Sequence, residues 1–121
     1  DMIALDIKTS VGRYGELFPK MPKEALLKLK NAFLRTLAIL KNEKENIEME
    51  YRTVLVPGLV AENEIKEIAL LLPKNACWQL ANFVSGNCLN ASWNKIKPYT
   101  AAQTKKLEAL AAGLIKDTKL R

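Results

Sequence analysis

The sequence predicts a mainly α domain, a single compact bundle of about five helices with at most one short two-stranded pairing, 2–8 with 46–56. Three observations carry this expectation. Apolar residues recur at three-four spacing through most of the chain. Five prolines and five glycines cut it into pieces of helical length. Period-two alternation is confined to two short stretches. At 121 residues the chain is one domain, 1–121, large enough to bury a core without a disulfide or metal.

Residues 1–21 read two ways. Ile3, Leu5 and Ile7 alternate with Ala4, Asp6 and Lys8 as in a strand, whereas Met2 and Leu5 also suit a frayed helix, and Gly12 and Gly15 interrupt either. Residues 22–44 give the clearest element. Pro22 suits a helix start, and Leu26, Leu29, Phe33, Leu37 and Leu40 form one stripe. Over 46–56 the period changes. Ile47, Met49, Tyr51, Thr53 and Leu55 alternate with Glu48, Glu50, Arg52 and Val54, a half-buried strand closed by Pro57-Gly58; a continuation of the long helix is the competing reading. Residues 61–72 predict a short helix with Glu62 and Glu64 at its positive end and Ile65, Ile68, Ala69 and Leu72 inward. A further helix is expected over 76–85, with Cys77, Leu80, Ala81 and Val84 inward and Gly86 as its stop. Asn90 opens a short turn carrying Trp93 and Ile96, ended by Pro98. Residues 100–120 form the last helix. Thr100 and Gln103 match a capping box, Leu107, Leu110, Ala111, Leu114 and Ile115 make its stripe, and Gly113 marks a bend or an end.

Composition then restricts function. There is no histidine, which removes Ser-His and Cys-His nucleophile systems and His-ligated metal. Glu43, Glu45, Glu48 and Glu50, and again Glu62, Glu64 and Glu67, cluster without ligand-loop spacing and read as solvated faces. No phosphate-binding loop and no nucleophile elbow is present. Cys77 and Cys88 do not form a CxxC and read as two reduced thiols, with Cys77 buried. Asn90-Ala91-Ser92 is a lone glycosylation sequon. No catalytic, metal or cofactor site is expected, and the protein is expected not to be an enzyme. No stretch reaches the ~20 apolar residues of a membrane span, and no secretory leader is visible, so the expected address is the cytoplasm.

The net charge is +6, divided as +2 over 1–60, −1 over 61–91 and +5 over 92–121. A basic segment attracts polyanions. Trp93, Lys95, Lys97 and Tyr99 interleave rings with cations, and Lys105, Lys106 and Lys116 come after them; lysines can neutralise phosphates and rings can stack bases. These seven residues are the candidate nucleic-acid contacts, for DNA or RNA. The expected role is a small basic binding subunit of a larger nucleic-acid-processing complex. The alternative is a protein-interaction domain, an adaptor, chaperone or effector, suggested by the excess apolar residues of Leu70-Leu71-Leu72 and Val54-Leu55-Val56. Residues 100–114 are similar to the opening helix of LuxR-type helix-turn-helix proteins, through the Ala112-Gly113 turn. Only eight residues remain after Gly113, too few for a recognition helix, so no function is carried over.

Overall fold

The structure, a computed structural model, describes residues 2–42, 48–84 and 95–121. Its architecture is α/β rather than a helical bundle. Strand β1 (Met2–Asp6) leads through a 3-10 turn (Val11–Arg13) and a one-turn helix α1 (Tyr14–Leu17) to the long helix α2 (Lys23–Asn42). The chain continues through β2 (Glu48–Leu55), α3 (Glu62–Leu71), β3 (Cys77–Asn82), α4 (Ala101–Leu114) and β4 (Asp117–Leu120). The four strands lie in chain order β1-β2-β3-β4, and every pairing is parallel.

Three features of the expected bundle are corrected. Residues 76–85 are not a helix; their centre is strand β3. The three-four coincidence of Cys77, Leu80, Ala81 and Val84 hid a period of two, with Trp78 and Leu80 fully buried and Val84 78% exposed. The last helix does not reach residue 120. It ends at Leu114, one residue after Gly113, and Asp117–Leu120 becomes β4. The segment similar to a helix-turn-helix thus leads into a strand, not a second helix. The 2–8 with 46–56 pairing exists as β1 on β2, with Leu5 opposite Tyr51, but it is parallel and belongs to a four-stranded sheet. Between 46 and 56 the alternation governs from Glu48 onward, and no helix continues there. The turn expected from Asn90 to Trp93, and Cys88 with it, lie outside the described residues.

Winding explains the layers. Each parallel step needs a crossover, and crossovers are right-handed. When successive strands are added in one direction, such crossovers put their helices on the same side. One core cluster accordingly gathers Leu37 of α2, Ile65, Ile68 and Ala69 of α3, and Leu107 and Ala111 of α4 with a single parity of strand residues: Leu5, Met49, Tyr51, Leu55, Trp78, Leu80 and Leu120. The indole Nε1 of Trp78 donates to Thr53 Oγ1 at 3.0 Å, so the most voluminous buried side chain leaves no polar atom unpaired.

The helices start and stop for local reasons. Leu26 N–H donates to the Pro22 carbonyl, which places Pro22 just before α2. Ala61 N–H donates to Glu64 at 2.9 Å at the start of α3. Thr100 and Gln103 form the capping box of α4 that the sequence announces. The leucine triplet divides at the end of α3: on the helix Leu70 is 83% exposed and Leu71 half-buried, and Leu72, the extended residue that follows, is buried.

Candidate functional site

The opposite parity of the strands builds the other face of the sheet, and among the described residues no helix contributes to that side. Ala4 and Asp6 of β1, Glu48, Glu50, Arg52 and Val54 of β2, Cys77, Gln79 and Ala81 of β3, and Asp117 and Lys119 of β4 lie there by register. A parallel sheet normally has apolar residues on both faces because both are covered. Here one face is polar and mostly open to water. The alternation of 48–56 contained the signal: Glu48, Glu50 and Arg52 fall on one side of a strand whose other side is core.

Glu50 sits at the middle of this face, between Ala4 on one neighbouring strand and Cys77 on the other, and is only 8% exposed. Two cations hold it. Arg52 Nε donates to Glu50 Oε2 at 2.7 Å, and Arg121 Nη2 approaches Oε1 at 3.2 Å from beyond the end of β4. The Arg121 backbone N–H donates to the Leu80 carbonyl at 2.8 Å, so the residue extends the β4 ladder and lies beside β3. Its side chain crosses β3 to reach β2. Beside this triad Gln79 Nε2 lies 3.4 Å from the Cys77 sulfur. Cys77 is therefore half-exposed on the polar face, not buried on a helical stripe as the sequence suggested. Charge is graded along the face. Glu48, Glu50 and Asp117 lie toward the strand starts. Arg52, Lys119 and Arg121 lie toward the strand ends, where Lys8, just past β1, approaches Asp6 at 3.6 Å.

At those strand ends, the end where open α/β sheets place their ligands, the connections are clasped together. Thr9 Oγ1 donates to the Leu59 carbonyl at 2.8 Å, and Arg13 donates to the carbonyls of Leu59 at 3.0 Å and Gly58 at 2.6 Å. Tyr99 Oη donates to the Val60 carbonyl at 2.8 Å. Side chains from the β1–α2 and β3–α4 connections thus hold three successive carbonyls of the β2–α3 turn. Arg13 also pairs with Glu16 and Glu64. Its hydrogen bond to Glu16 is the main reason its guanidinium is held still more firmly protonated, and the same bond lowers the Glu16 carboxyl. Burial raises the Tyr99 phenol.

Of the residues expected to touch nucleic acid, Tyr99 and Lys106 line one cavity at the start of α4, Lys105 lies beside them in sequence, and Lys116 lies past the other end of that helix. Lys95 and Lys97 are exposed before α4. Tyr99 is half-buried with its hydroxyl bonded to Val60. Lys106 pairs with Glu62 at 3.2 Å beside a cavity of about 210 Å³ between the starts of α3 and α4. Lys116 lies past the other end of α4, in an open cleft with Lys74, Asn75 and Asp117. At 1.5 Å per residue, the helix from Lys105 to its end at Leu114 alone spans roughly 14 Å. Trp93 lies outside the described residues. No group of three or more acidic or cysteine side chains suited to a metal occurs among the described residues, and none of their helices is long and apolar enough to cross a membrane. No family model, curated protein or solved structure matches the chain. The all-α description is overturned by the parallel sheet, and nothing in the structure or the comparisons supports nucleic-acid binding.

Proposed function

We propose that the protein is a small-molecule binding domain that takes an organic oxyanion, a carboxylate or phosphate ester, on the open face of its sheet. The observation that carries this reading is the convergence of Arg52 and Arg121 on the single carboxylate of Glu50. Two guanidiniums on one carboxylate leave a local excess of one positive charge, and Lys119 adds to it. The Arg52 and Arg121 side chains are 40% and 59% exposed, so each keeps donors turned to solvent. Guanidinium donors arranged in a plane match the oxygens of carboxylate and phosphate. Gln79 offers a neutral donor and acceptor between them. The grip of Glu50 orders the arginines before a ligand arrives, which reduces the entropy cost of binding. The clasped strand ends provide a rigid border at the cationic end of the face.

Titration calorimetry with inorganic phosphate and with succinate, at constant ionic strength, tests this. Saturable binding is expected for the parent and is reduced at least tenfold in Arg52→Gln/Arg121→Gln. Absence of saturable binding, or equal affinity in the double variant, refutes the proposal.

A further inference from the structure

Helix α2 carries a second seam that its own core does not use. Its inward stripe is Leu26, Leu29, Phe33, Leu37 and Leu40, of which only Leu37 is buried. Rotated from that stripe by roughly a third of a turn, Leu27, Asn31, Leu34 and Ala38 succeed one another at four-three-four spacing, and all four are exposed. Leu27 is 59% exposed and Leu34 39%, in a helix of 20 residues. Four-three spacing is the geometry by which one helix packs alongside another at about 20°.

The flanks of this seam are cationic on both sides. Lys28 and Arg35 border one edge, and Lys23 and Lys30 the other. These are the positions that choose the partner in side-by-side helix pairing. Among the described residues none of the four is held in an ion pair. Over its length α2 has five cations against one carboxylate, Glu24. Two copies of such a seam would bring like charges together, so the arrangement disfavours self-association. Asn31 within the seam favours a partner that offers a polar group at one register.

We propose that the solvent face of α2 is a docking surface for an acidic amphipathic helix of a partner protein, with leucines opposite Leu27 and Leu34 and carboxylates opposite Lys23, Lys28, Lys30 and Arg35. The surface is separate from the polar sheet face, and the proposal does not depend on the oxyanion reading. Hydrophobic contact along the seam supplies affinity. The cationic borders select the partner and accelerate encounter.

The test uses two fluorescein-labelled synthetic helices of ~20 residues that share a leucine-asparagine seam and differ only in flanks, glutamate in one and lysine in the other. By anisotropy the glutamate helix is expected to bind saturably, at least tenfold more weakly at high than at low salt, and the lysine helix not to bind. Leu27→Gln/Leu34→Gln is expected to weaken the glutamate helix at least tenfold with unchanged circular dichroism and melting temperature. Arg35→Glu is expected to weaken it too, with recovery on a helix carrying lysine at the facing position. Equal binding of both helices, unchanged binding by the leucine double variant, or binding of the parent to phosphatidylserine vesicles without binding to the glutamate helix overturns the proposal.

Discussion

The hydroxyl of Tyr99, in the β3–α4 connection, donates at 2.8 Å to the carbonyl of Val60, in the β2–α3 connection. With Thr9 and Arg13 it holds the three carbonyls of Gly58, Leu59 and Val60. Removing the Tyr99 hydroxyl takes a donor from the carbonyl of fully buried Val60, at about 1–3 kcal/mol, whereas Arg13 is a charged donor to two carbonyls and also pairs with two carboxylates. Tyr99→Phe is therefore expected to lower stability, and Arg13→Ala to lower it further. Denaturant melts that rank Tyr99→Phe as the more damaging substitution would show that the clasp depends on the phenol hydroxyl rather than on the guanidinium.

All three tyrosines are raised by burial, and Tyr14 reaches about 12 against an ordinary value of 10.0. Tyr14 is 6% exposed, and its ring lies 5.1 Å from that of Phe33. A folded-state pKa above the unfolded one means the native state binds the proton more tightly. That contribution is complete below pH ~10 and is lost as pH climbs from ~10 toward ~12, by about 2–3 kcal/mol for Tyr14 if it stays folded throughout. Chemical melts at pH 8, 10 and 11 should fall in that order, and Tyr14→Phe should flatten the decline. A flat profile in the parent would mean that the phenols ionise as freely in the native protein as in the unfolded chain.

Much of the helix layer was legible in the sequence, because each helix buries one stripe and leaves the rest in water. The stripes of α2 and α3 and the Thr100-Gln103 box of α4 read directly. The sheet was harder. β3 has six residues and β4 four, so each offers two or three turns of alternation. In β3 the half-exposed Cys77 and Ala81 are apolar enough to imitate a helical face. The open face was half visible. Glu50 and Arg52 were correctly separated from Tyr51 and Thr53 by period, but their meeting with Arg121 depends on β3 and β4 lying side by side, a long-range pairing that local periodicity does not encode. The lysines of 95–116 stood out because cations interleave with rings over 93–99; the fold puts Lys95 and Lys97 before α4, Lys105 and Lys106 in its first two turns and Lys116 past its end.

Burial separates side chains that look equivalent in sequence. Leu37 is 4% exposed and Leu72 also 4%, whereas Leu70 is 83% exposed. Truncating a packed leucine to alanine costs about 2–5 kcal/mol, and truncating an exposed one stays within roughly 0.5 kcal/mol. Leu37→Ala and Leu72→Ala are expected in the first class and Leu70→Ala in the second. A loss under about 1 kcal/mol for Leu37→Ala would place α2 less firmly on the sheet than its core contact requires.

In a Cys88→Ser variant, the half-exposed Cys77 is expected to react with a thiol reagent without denaturant, more slowly than in the unfolded chain because Gln79 and the Glu50 triad stand over it. Complete protection of the native thiol would mean that the polar face is covered. Labelling as fast as in urea would mean that β3 opens freely. Intermediate labelling that slows further with saturating phosphate would connect the thiol to the proposed anion site.

Two glycines should respond in opposite directions to alanine. Gly58 comes after Pro57 in the turn beyond β2 and has φ +83°, a conformation that L side chains rarely adopt. A methyl group there meets no atom within 4 Å, so the expected loss of about 1 kcal/mol is entirely backbone strain. Gly113 lies within α4 at an ordinary φ, and its added methyl group also meets open space. Alanine there restricts the unfolded chain and favours the helix, so Gly113→Ala is expected to gain about 0.5–1 kcal/mol. The gain has a limit set by the next few residues, since α4 must stop at Leu114 for Ile115 to enter the core at 1% exposure and for Thr118 to pair opposite Trp78. If alanine instead lets the helix run on, β4 is lost and the variant melts below the parent with a rise in helical ellipticity. Equal melting of both glycine variants and the parent would show that neither position limits the fold.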